Sequence, residues 1–161
     1  MIRIADIHDL PQIVAIYNAA IPGRMATADT NPITTDSRLE WFNQHKDHRP
    51  LWVMEKNNEL AGWCSLQNFY GRPAYMGTAE ISVYVNPLYQ RQGIAREMMD
   101  YLLNEIKMLQ ISTLLAFIFA HNEPSIRFFK KYHFEQWGLL PRVAQLDGIE
   151  RDVVIYGLHI P

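Results

Sequence analysis

The stretch Gln90-Arg91-Gln92-Gly93-Ile94-Ala95 lies directly between a predicted strand and the start of a long predicted helix. The first backbone N–H groups of a helix have no partners inside it, and the helix dipole adds partial positive charge at that end. Gly93 lacks the side chain that would keep a phosphate group away, and Arg91 and Arg96 can add countercharge. The stretch therefore predicts a diphosphate site, and a solvated helix end with two surface arginines is the alternative. It has neither the Gly-Lys-Ser/Thr end of a Walker loop nor the three glycines of a dinucleotide turn.

The segments on either side of this stretch indicate the fold class. Residues 79–86 alternate with period two, whereas Ile94, Met98, Leu102 and Ile106 recur every four residues, as on one buried face of a helix. Further strands are predicted at 2–4, 51–55, 60–68, 112–120 and 153–158, and further helices begin near residues 9 and 36 and span 125–132. Helices between strands predict an α/β (α+β) layer fold around one mixed sheet.

The composition is that of a globular protein. The 161 residues predict one domain, spanning 1–161, and 48% of them are apolar. The 15 basic and 17 acidic side chains give a formal charge of −2, which argues against a nucleic-acid partner. Cys64 has no second cysteine to pair with, and the longest apolar run, 114–120, is far shorter than the roughly 20 residues that span a bilayer. The chain start shows no targeting signal, so we expect a cytoplasmic protein without membrane contact.

The stretch around Gly93 resembles the pyrophosphate loop of the GNAT superfamily of acetyl-CoA-dependent N-acetyltransferases. That loop has the form Q/R-x-x-G-x-G/A, and Gln90, Gly93 and Ala95 fill it. The chain also resembles a subgroup similar to phosphinothricin and methionine-sulfone acetyltransferases. Four further stretches carry this second resemblance: Ile16 to Asn18, Asp36 to Phe42, Ala79 to Val85 and His121 to Ile126. They follow the order of the subgroup over nearly the whole chain.

The resemblance implies the GNAT fold and a set of cofactor contacts. The fold is a mixed, mostly antiparallel sheet with helices on both faces and a splay between the fourth and fifth strands. The main chain of Val83, Tyr84 and Val85 would bond the pantetheine arm, and Asn122 would bond the cofactor where those two strands part. The pyrophosphate would lie against the main chain and side chains of Arg91, Gln92, Gly93, Ile94, Ala95 and Arg96.

Two of these implied contacts have alternatives. Asn122 precedes Pro124 and is equally suited to cap the following helix. Lys131 falls where the family often has a further cofactor contact, but a solvated surface lysine is the simpler interpretation.

The activity implied by the resemblance is transfer of an acetyl group from acetyl-CoA to the primary amine of a small molecule, an amino acid or its analogue. Transfer would occur by direct attack in a ternary complex, without a metal. Acetylation of a protein or peptide amine is one alternative, and a non-catalytic acetyl-CoA-binding module is another. We also expect a homodimer.

Glu80 is the candidate general base. Period-two alternation puts Glu80 on one face of its strand with Ser82 and Tyr84, and an acid within an apolar strand is costly to bury without a purpose. An α-amino group, with a pKa near ~8, arrives mostly as an ammonium, and only its neutral form attacks a thioester. A carboxylate that takes this proton is typically worth about 10²–10⁴ in rate. A surface carboxylate on a half-exposed strand is the alternative.

The candidate general acid departs from the family. Many GNAT members place a tyrosine, and the phosphinothricin group a histidine, where this chain has Phe129. Tyr132, three residues further on, can reach a neighbouring helix face and is a candidate substitute acid, with packing as the alternative. A thiolate leaving group, comparable to cysteine with a pKa near ~8.5, needs little help from an acid.

Candidate substrate contacts lie in the aromatic loop before Glu80. Tyr70 stands where some relatives carry a basic residue, and Arg72 follows two residues later, with Tyr75 in the same loop. Arg72 can pair with a carboxylate or phosphinate, or it is simply an exposed loop arginine. The apolar residues Trp137, Leu139 and Leu140 predict either core or a dimer face.

Overall fold

The structure, a computed structural model, describes residues 1–161 and contains one seven-stranded sheet in the order β1-β2-β3-β4-β5-β7-β6. Every neighbouring pair of strands is antiparallel except β4 and β5, which are parallel. The strands and helices run in chain order as β1 (Ile2–Ile4), α1 (Leu10–Ala19), α2 (Leu39–Gln44), β2 (Leu51–Lys56), β3 (Glu59–Asn68), β4 (Thr78–Val85), α3 (Ile94–Glu105), β5 (Thr113–Phe119), α4 (Glu123–Lys131), β6 (Glu135–Leu146) and β7 (Ile149–His159). The predicted mixed, mostly antiparallel GNAT fold is confirmed. No helix has both the length and the hydropathy needed to cross a membrane.

Helices cover both faces of the sheet. On one face, Ile13 and Ile16 of α1 pack against Val53 and Trp63, and the Trp63 indole donates a hydrogen bond of 3.1 Å to the Ile13 carbonyl. On the other face, the four-residue apolar repeat of α3 lies in the larger core, in which Met98 and Leu102 are fully buried. Burial of one apolar stripe per helix thus fixes each helix to its own side of the sheet.

Strand β6 was not predicted from the sequence. It is an edge strand with register shifts after Gln136 and after Leu140, where Pro141 interrupts it, so its side chains do not keep a regular alternation. Its hairpin partner β7 begins four residues earlier than predicted, at Ile149. The turn between them, Asp147-Gly148, has both residues at positive φ, and Asp-Gly is among the strongest hairpin signals in a sequence.

Strands β4 and β5 pair only over their first residues. Thr78, Ala79 and Glu80 face Thr113, Leu114 and Leu115, and β4 has no pairing with β5 beyond Glu80. From there β4 continues beside β3 and β5 continues beside β7. The predicted splay between the fourth and fifth strands is confirmed, and it opens a cleft in the middle of the sheet.

Candidate active site

The cleft between β4 and β5 has a volume of about 290 Å³. Its walls come from β4, β5 and α4, and the segment 25–28 lies across it. Three side chains hold this segment and the residue before it in place. The Tyr84 hydroxyl donates to the Ala26 carbonyl at 3.0 Å, Asn122 Nδ2 donates to the Met25 carbonyl at 3.0 Å, and the His121 ring lies 2.8 Å from the Arg24 carbonyl oxygen. The cleft is therefore enclosed by chain segments far apart in sequence.

One wall of the cleft is a strand edge without a partner. Because β5 has parted from β4 after Glu80, the main chain of β4 beyond that point has no strand neighbour on this side. Val83 and Tyr84 line the cleft, and Val85 extends the same edge. Unpaired N–H and C=O groups on a strand edge readily accept an extended chain as an additional strand.

The predicted phosphate loop follows β4 and leads into α3. Arg91 and Gly93 both adopt the left-handed conformation, at φ 62° and 79°, and Gly93 occupies the N-cap position without any side-chain cap. The first-turn N–H groups of α3 are therefore not used by a capping side chain, as an anion site requires. A Cβ at Gly93 would meet only the Arg96 guanidinium, at 3.8 Å, so the positive φ is the stronger requirement for glycine here.

The six predicted residues of this loop have two kinds of surroundings. Arg91, Gln92 and Arg96 are exposed, so their polar groups are free to face a ligand. Ile94, the first residue of α3, is buried in the larger core and anchors the start of the helix. The loop thus combines an anchored backbone with exposed cationic side chains.

Asn122 lies at the end of β5 and lines the cleft. Its Oδ1 accepts a hydrogen bond of 3.2 Å from the Ser125 N–H, which caps α4. The helix-cap interpretation is therefore correct, and the residue is also placed where a cofactor would pass. Lys131, at the end of α4, is exposed, lies outside the cleft lining and makes no ion pair.

Glu80 lines the cleft at the last position where β4 and β5 pair. Its side chain is half-buried, has no hydrogen bond or ion pair, and lies on the same face of the strand as Ser82 and Tyr84. Burial raises the pKa of the Glu80 carboxyl above its ordinary value, because no neighbouring cation offsets the loss of solvent. A carboxylate without a partner and with a raised pKa is a suitable proton acceptor.

The structure does not bring Tyr132 into the cleft. Its hydroxyl donates to Asp100 Oδ1 at 2.9 Å, and its ring packs edge-on against Phe128. Burial, together with the Asp100 carboxylate, raises the pKa of Tyr132 to about 12. Phe129 does line the cleft, so an apolar ring stands where relatives carry an acid. Helical spacing alone placed Tyr132 near Phe129, but the ring turns toward α3 because Asp100 provides a partner there.

The predicted substrate loop does not line the cleft. Tyr70 is 78% exposed and packs at a tilt against Phe69 with ring centroids 4.3 Å apart, and Tyr75 packs edge-on against the same Phe69 ring. Arg72 is exposed and makes no ion pair. The three residues therefore form an aromatic surface loop ahead of β4.

Two structural features near Glu80 were not predicted from the sequence. The first is a cavity of about 180 Å³ on the Glu80 face of the sheet, enclosed by α1, the segment leading into α2, β3 and β4. It shares Ser82 and Tyr84 with the cleft. The cavity walls include Tyr17, Arg38, Trp41, Trp63, Ser65 and Gln67. Strand parity in β3 would have placed Trp63, Ser65 and Gln67 on one face, although nothing in the sequence pairs them with β4.

The second missed feature is the buried Arg49. Its guanidinium donates to the Met76 carbonyl at 2.7 Å and to the Thr78 carbonyl at 3.4 Å, which fixes the start of the strand that carries Glu80. Burial lowers the pKa of Arg49, and no carboxylate pairs with it. In the sequence, Lys46 and Arg49 are typical of a polar helix end. That pattern does not predict that Arg49 fixes the start of β4.

The geometry of the cleft selects its ligand. An extended chain with amide groups fits along the free edge of β4, and a diphosphate at its far end fits the start of α3. Coenzyme A has this shape and these groups, and its thiol end would lie near Glu80. The fold and the site are those of an acyl-CoA-dependent acyltransferase.

Comparison with known proteins defines the family. The sequence profile described as the acetyltransferase (GNAT) family matches residues 13–134, and the chain belongs to this family. It is an acetyl-CoA-dependent N-acetyltransferase of the GNAT type. It is 45% identical to YwnH of Bacillus subtilis, which is provisionally named a phosphinothricin acetyltransferase, over 99% of this chain and 98% of that protein.

Two further similarities concern substrate and cofactor. The chain is 29% identical to the L-methionine sulfoximine/L-methionine sulfone acetyltransferase of Salmonella typhimurium, over 99% of this chain and 94% of that protein. The structure superposes with a TM-score of 0.92 on yncA from Salmonella typhimurium, solved with its cofactor acetyl-CoA. That match has 28% sequence identity and covers 100% of this chain and 94% of the other.

Proposed function

We propose that this enzyme acetylates the primary amine of a small amino acid or analogue, of the phosphinothricin or methionine sulfone/sulfoximine type, by direct attack in a ternary complex. The observation that carries the proposal is the position of Glu80. This unpaired carboxylate lies between a cleft shaped for acetyl-CoA and a cavity of about 180 Å³, the size of an amino-acid side chain. The names of the relatives supply the type of amino acid.

Glu80 acts as the general base. The acceptor amine, with a pKa near ~8, enters mostly as an ammonium and must lose a proton before it attacks the thioester carbon. The raised pKa of Glu80 brings the carboxylate closer to that value, which makes proton transfer less unfavourable. A main-chain N–H near Val83 stabilises the oxyanion that forms during attack.

The departing thiolate needs no strong acid, since a thiol has a pKa near ~8.5. This accounts for the apolar Phe129 in the cleft and for a Tyr132 hydroxyl bonded elsewhere. Glu80 takes one proton from the ammonium and returns it to solvent after product release. The second proton, which the nitrogen loses as the tetrahedral intermediate collapses and the C–S bond breaks, passes to the departing thiolate, so the products are an amide and a thiol.

The cofactor contacts follow from the cleft. The main chain of Val83, Tyr84 and Val85 bonds the pantetheine arm, and the loop from Arg91 to Arg96 holds the pyrophosphate. Asn122 contacts the arm while its side chain caps α4. Lys131 reaches the outer part of the cofactor only through its flexible side chain, and Tyr70, Arg72 and Tyr75 form an outer rim for the substrate.

A panel assay tests the function. Purified protein is mixed with acetyl-CoA and with methionine sulfone, phosphinothricin, other amino acids and short peptides, and free thiol release is followed. Turnover is expected on amino acids and not on peptides, because a cavity of about 180 Å³ matches one amino-acid side chain. Tight acetyl-CoA binding without turnover on any amine contradicts the proposal and supports a non-catalytic binding module. Turnover on peptides alone supports a protein N-acetyltransferase.

The substitution Glu80→Gln tests the mechanism. We expect kcat to fall by about 10²–10⁴ at neutral pH, because the amide cannot accept the proton. Affinity for acetyl-CoA, measured by calorimetry, stays near the wild-type value. Glu135→Gln, at an exposed position of β6 without hydrogen bonds or ion pairs, is the matched control. Unchanged turnover in Glu80→Gln removes this residue from the mechanism.

We infer further that residues 1–161 form a single domain that assembles as a homodimer in the cytoplasm. Trp137, Leu139 and Leu140 of the edge strand β6 are 42%, 51% and 39% exposed, and a second copy of the chain would cover them. The free, buried Cys64 suits a reducing compartment. Light scattering after gel filtration measures the mass, and a monomeric mass at micromolar concentration contradicts the dimer.

A further inference from the structure

We propose that the cavity beside Glu80 binds the side chain of the acceptor amino acid, and that the Arg38–Asp29 pair selects a neutral side chain ending in a hydrogen-bond-accepting oxygen, such as a sulfone, over an anionic one. This inference rests on the proposed function, because it assumes an amino-acid acceptor whose amine lies at Glu80. It assigns specificity to Asp29 and Arg38, which belong to the segment between α1 and α2 and lie outside the cofactor cleft.

The cavity adjoins Glu80 through the strand register. Gln67 lies directly opposite Glu80 across β3 and β4, and Ser65 lies opposite Ser82. Directly opposed residues share one face of a sheet, with Cβ atoms about 4.5–5.5 Å apart. Gln67 and Ser82 line the cavity. When the amine of an acceptor amino acid lies at Glu80, the side chain of that amino acid therefore extends into the cavity.

Four aromatic rings line the cavity. Trp63 stacks on Tyr84 with centroids 4.7 Å apart, Trp41 meets Trp63 edge-on at 5.5 Å, and Tyr17 lies 5.3 Å from Tyr84. Such rings present apolar surface to the methylene groups of a side chain. The volume of about 180 Å³ suits a side chain of a few heavy atoms.

Arg38 is the one charged side chain that lines the cavity. Its guanidinium carbon lies 5.0 Å from the Tyr17 ring and 5.7 Å from the Trp41 ring, so the two rings hold it over the mouth. A guanidinium carries five N–H donors, and one nitrogen, Nη2, is bonded to Asp29 at 3.3 Å. The remaining donors are available to an acceptor oxygen.

Asp29 neutralises this cation in advance. Besides Arg38, the Asp29 carboxylate accepts a hydrogen bond from the Tyr17 hydroxyl, which fixes its position. The mouth of the cavity therefore offers N–H donors but little net positive charge. A neutral, strongly polar oxygen is favoured by such a site, whereas a phosphinate would have to compete with Asp29 for the same guanidinium.

The cavity floor contributes a further donor. Ser65 is fully buried, lines the cavity, and its hydroxyl has no hydrogen-bond partner. A buried hydroxyl without a partner is costly, and a ligand oxygen would supply the missing bond. Ser65 and Arg38 thus provide donors at two places along one cavity.

Three acceptors distinguish the possibilities in one assay. Methionine sulfone carries neutral oxygens, phosphinothricin carries an anionic phosphinate, and norleucine carries neither. Wild-type enzyme is expected to show the highest kcat/KM with methionine sulfone. Arg38→Met should raise KM for methionine sulfone about 10- to 100-fold, and the KM for norleucine less than about threefold, because only the sulfone loses a charged donor.

Asp29→Asn is the sharper variant, since it keeps the shape of the side chain and removes the charge. Without its counterion, Arg38 is free to pair with the phosphinate. The kcat/KM for phosphinothricin, divided by that for methionine sulfone, should therefore rise about fivefold. The exposed Arg127→Met and Asp47→Asn serve as matched controls, with KM for all acceptors and for acetyl-CoA unchanged. Circular dichroism and the KM for acetyl-CoA confirm that each variant is folded.

The outcomes separate the two proposals. A wild-type enzyme that acetylates none of the three amino acids overturns the proposed function, and this inference with it. Acetylation of methionine sulfone with equal KM changes for all three acceptors in Arg38→Met overturns the inference alone. A wild-type preference for phosphinothricin also overturns it, as does an Asp29→Asn variant with the same preference as wild type.

Discussion

The two halves of the proposed active site, one for the cofactor and one for the acceptor amine, use different parts of the polypeptide. The cofactor half is built from main-chain groups, namely the free edge of β4 and the uncapped start of α3. The acceptor half is built from side chains of Tyr17, Arg38 and Trp63, which belong to three separate elements. Main-chain recognition depends on backbone conformation and tolerates many side chains, whereas a side-chain cavity changes its ligand with each substitution.

This difference separates the effects expected from mutation. Changes in the cofactor half should alter KM for acetyl-CoA with every acceptor. Changes in the acceptor half should alter the choice among acceptors and leave acetyl-CoA binding intact. Glu80 stands where the halves meet, at the last residue pair shared by β4 and β5.

The largest effect is expected from Gly93→Val. Gly93 has φ 79°, a conformation that a β-branched residue strongly disfavours, so the loop must rearrange and misplace the first N–H groups of α3. We expect acetyl-CoA binding to weaken at least about 100-fold, as measured by calorimetry, which corresponds to about 2.7 kcal/mol. Gly148→Val, at φ 78° in the β6–β7 turn, carries the same strain far from the loop and is the control. Intact binding in Gly93→Val contradicts the phosphate-loop assignment.

The next effect concerns the pH dependence set by Glu80. Burial raises its pKa, so the carboxyl stays protonated to a higher pH than an exposed glutamate and is then unable to accept a proton. The kcat/KM profile should therefore rise with pH through a midpoint above 4.5, the ordinary value of this group. In Glu80→Gln this limb should disappear, and the residual rate should follow ionisation of the amine, with a pKa near ~8. An identical acidic limb in both proteins would assign it to another group.

The same contrast explains why the cofactor half could be predicted from the sequence and the acceptor half could not. The phosphate loop is contiguous, so Gly93 and its neighbours display their role within six residues. Glu80 could be placed on its strand face because the period of a strand depends only on local sequence. Arg38 meets Tyr17 and Trp41, and Trp41 meets Trp63, only after α1 and α2 pack on the sheet. No local pattern encodes these contacts.

The acid position shows the limit of spacing arguments. Helical spacing puts Tyr132 within about one turn of Phe129. The direction of the Tyr132 side chain, however, depends on the hydrogen-bond partners offered by the neighbouring helix. Asp100 on α3 attracts the hydroxyl away from the cleft. Edge strand β6 was missed for a related reason, since an exposed strand with Pro141 has little need for regular alternation.

A smaller effect is expected from Tyr84→Phe, which links the two halves. The Tyr84 ring lines both the cleft and the cavity, and its hydroxyl holds segment 25–28 by a single bond to Ala26. Loss of this bond should raise KM for the acceptor and for acetyl-CoA together, each by about three- to tenfold. Tyr156→Phe, buried in the core on the other face of the sheet, is the control. A change in only one of the two KM values would show that the halves are independent at this residue.

The smallest effect on activity is expected from Tyr132→Phe. The hydroxyl is bonded to Asp100 and does not line the cleft, so its removal should leave kcat within about twofold of wild type and lower the free energy of unfolding by about 1 kcal/mol. Urea denaturation measures the second quantity, and Asp100→Asn, which weakens the same bond, should give a similar loss. A fall in kcat of more than tenfold with unchanged acetyl-CoA affinity would instead mean that Tyr132 turns into the cleft during the reaction. The thiolate would then leave with the help of an acid, and the apolar Phe129 would no longer explain how the cofactor half releases its product.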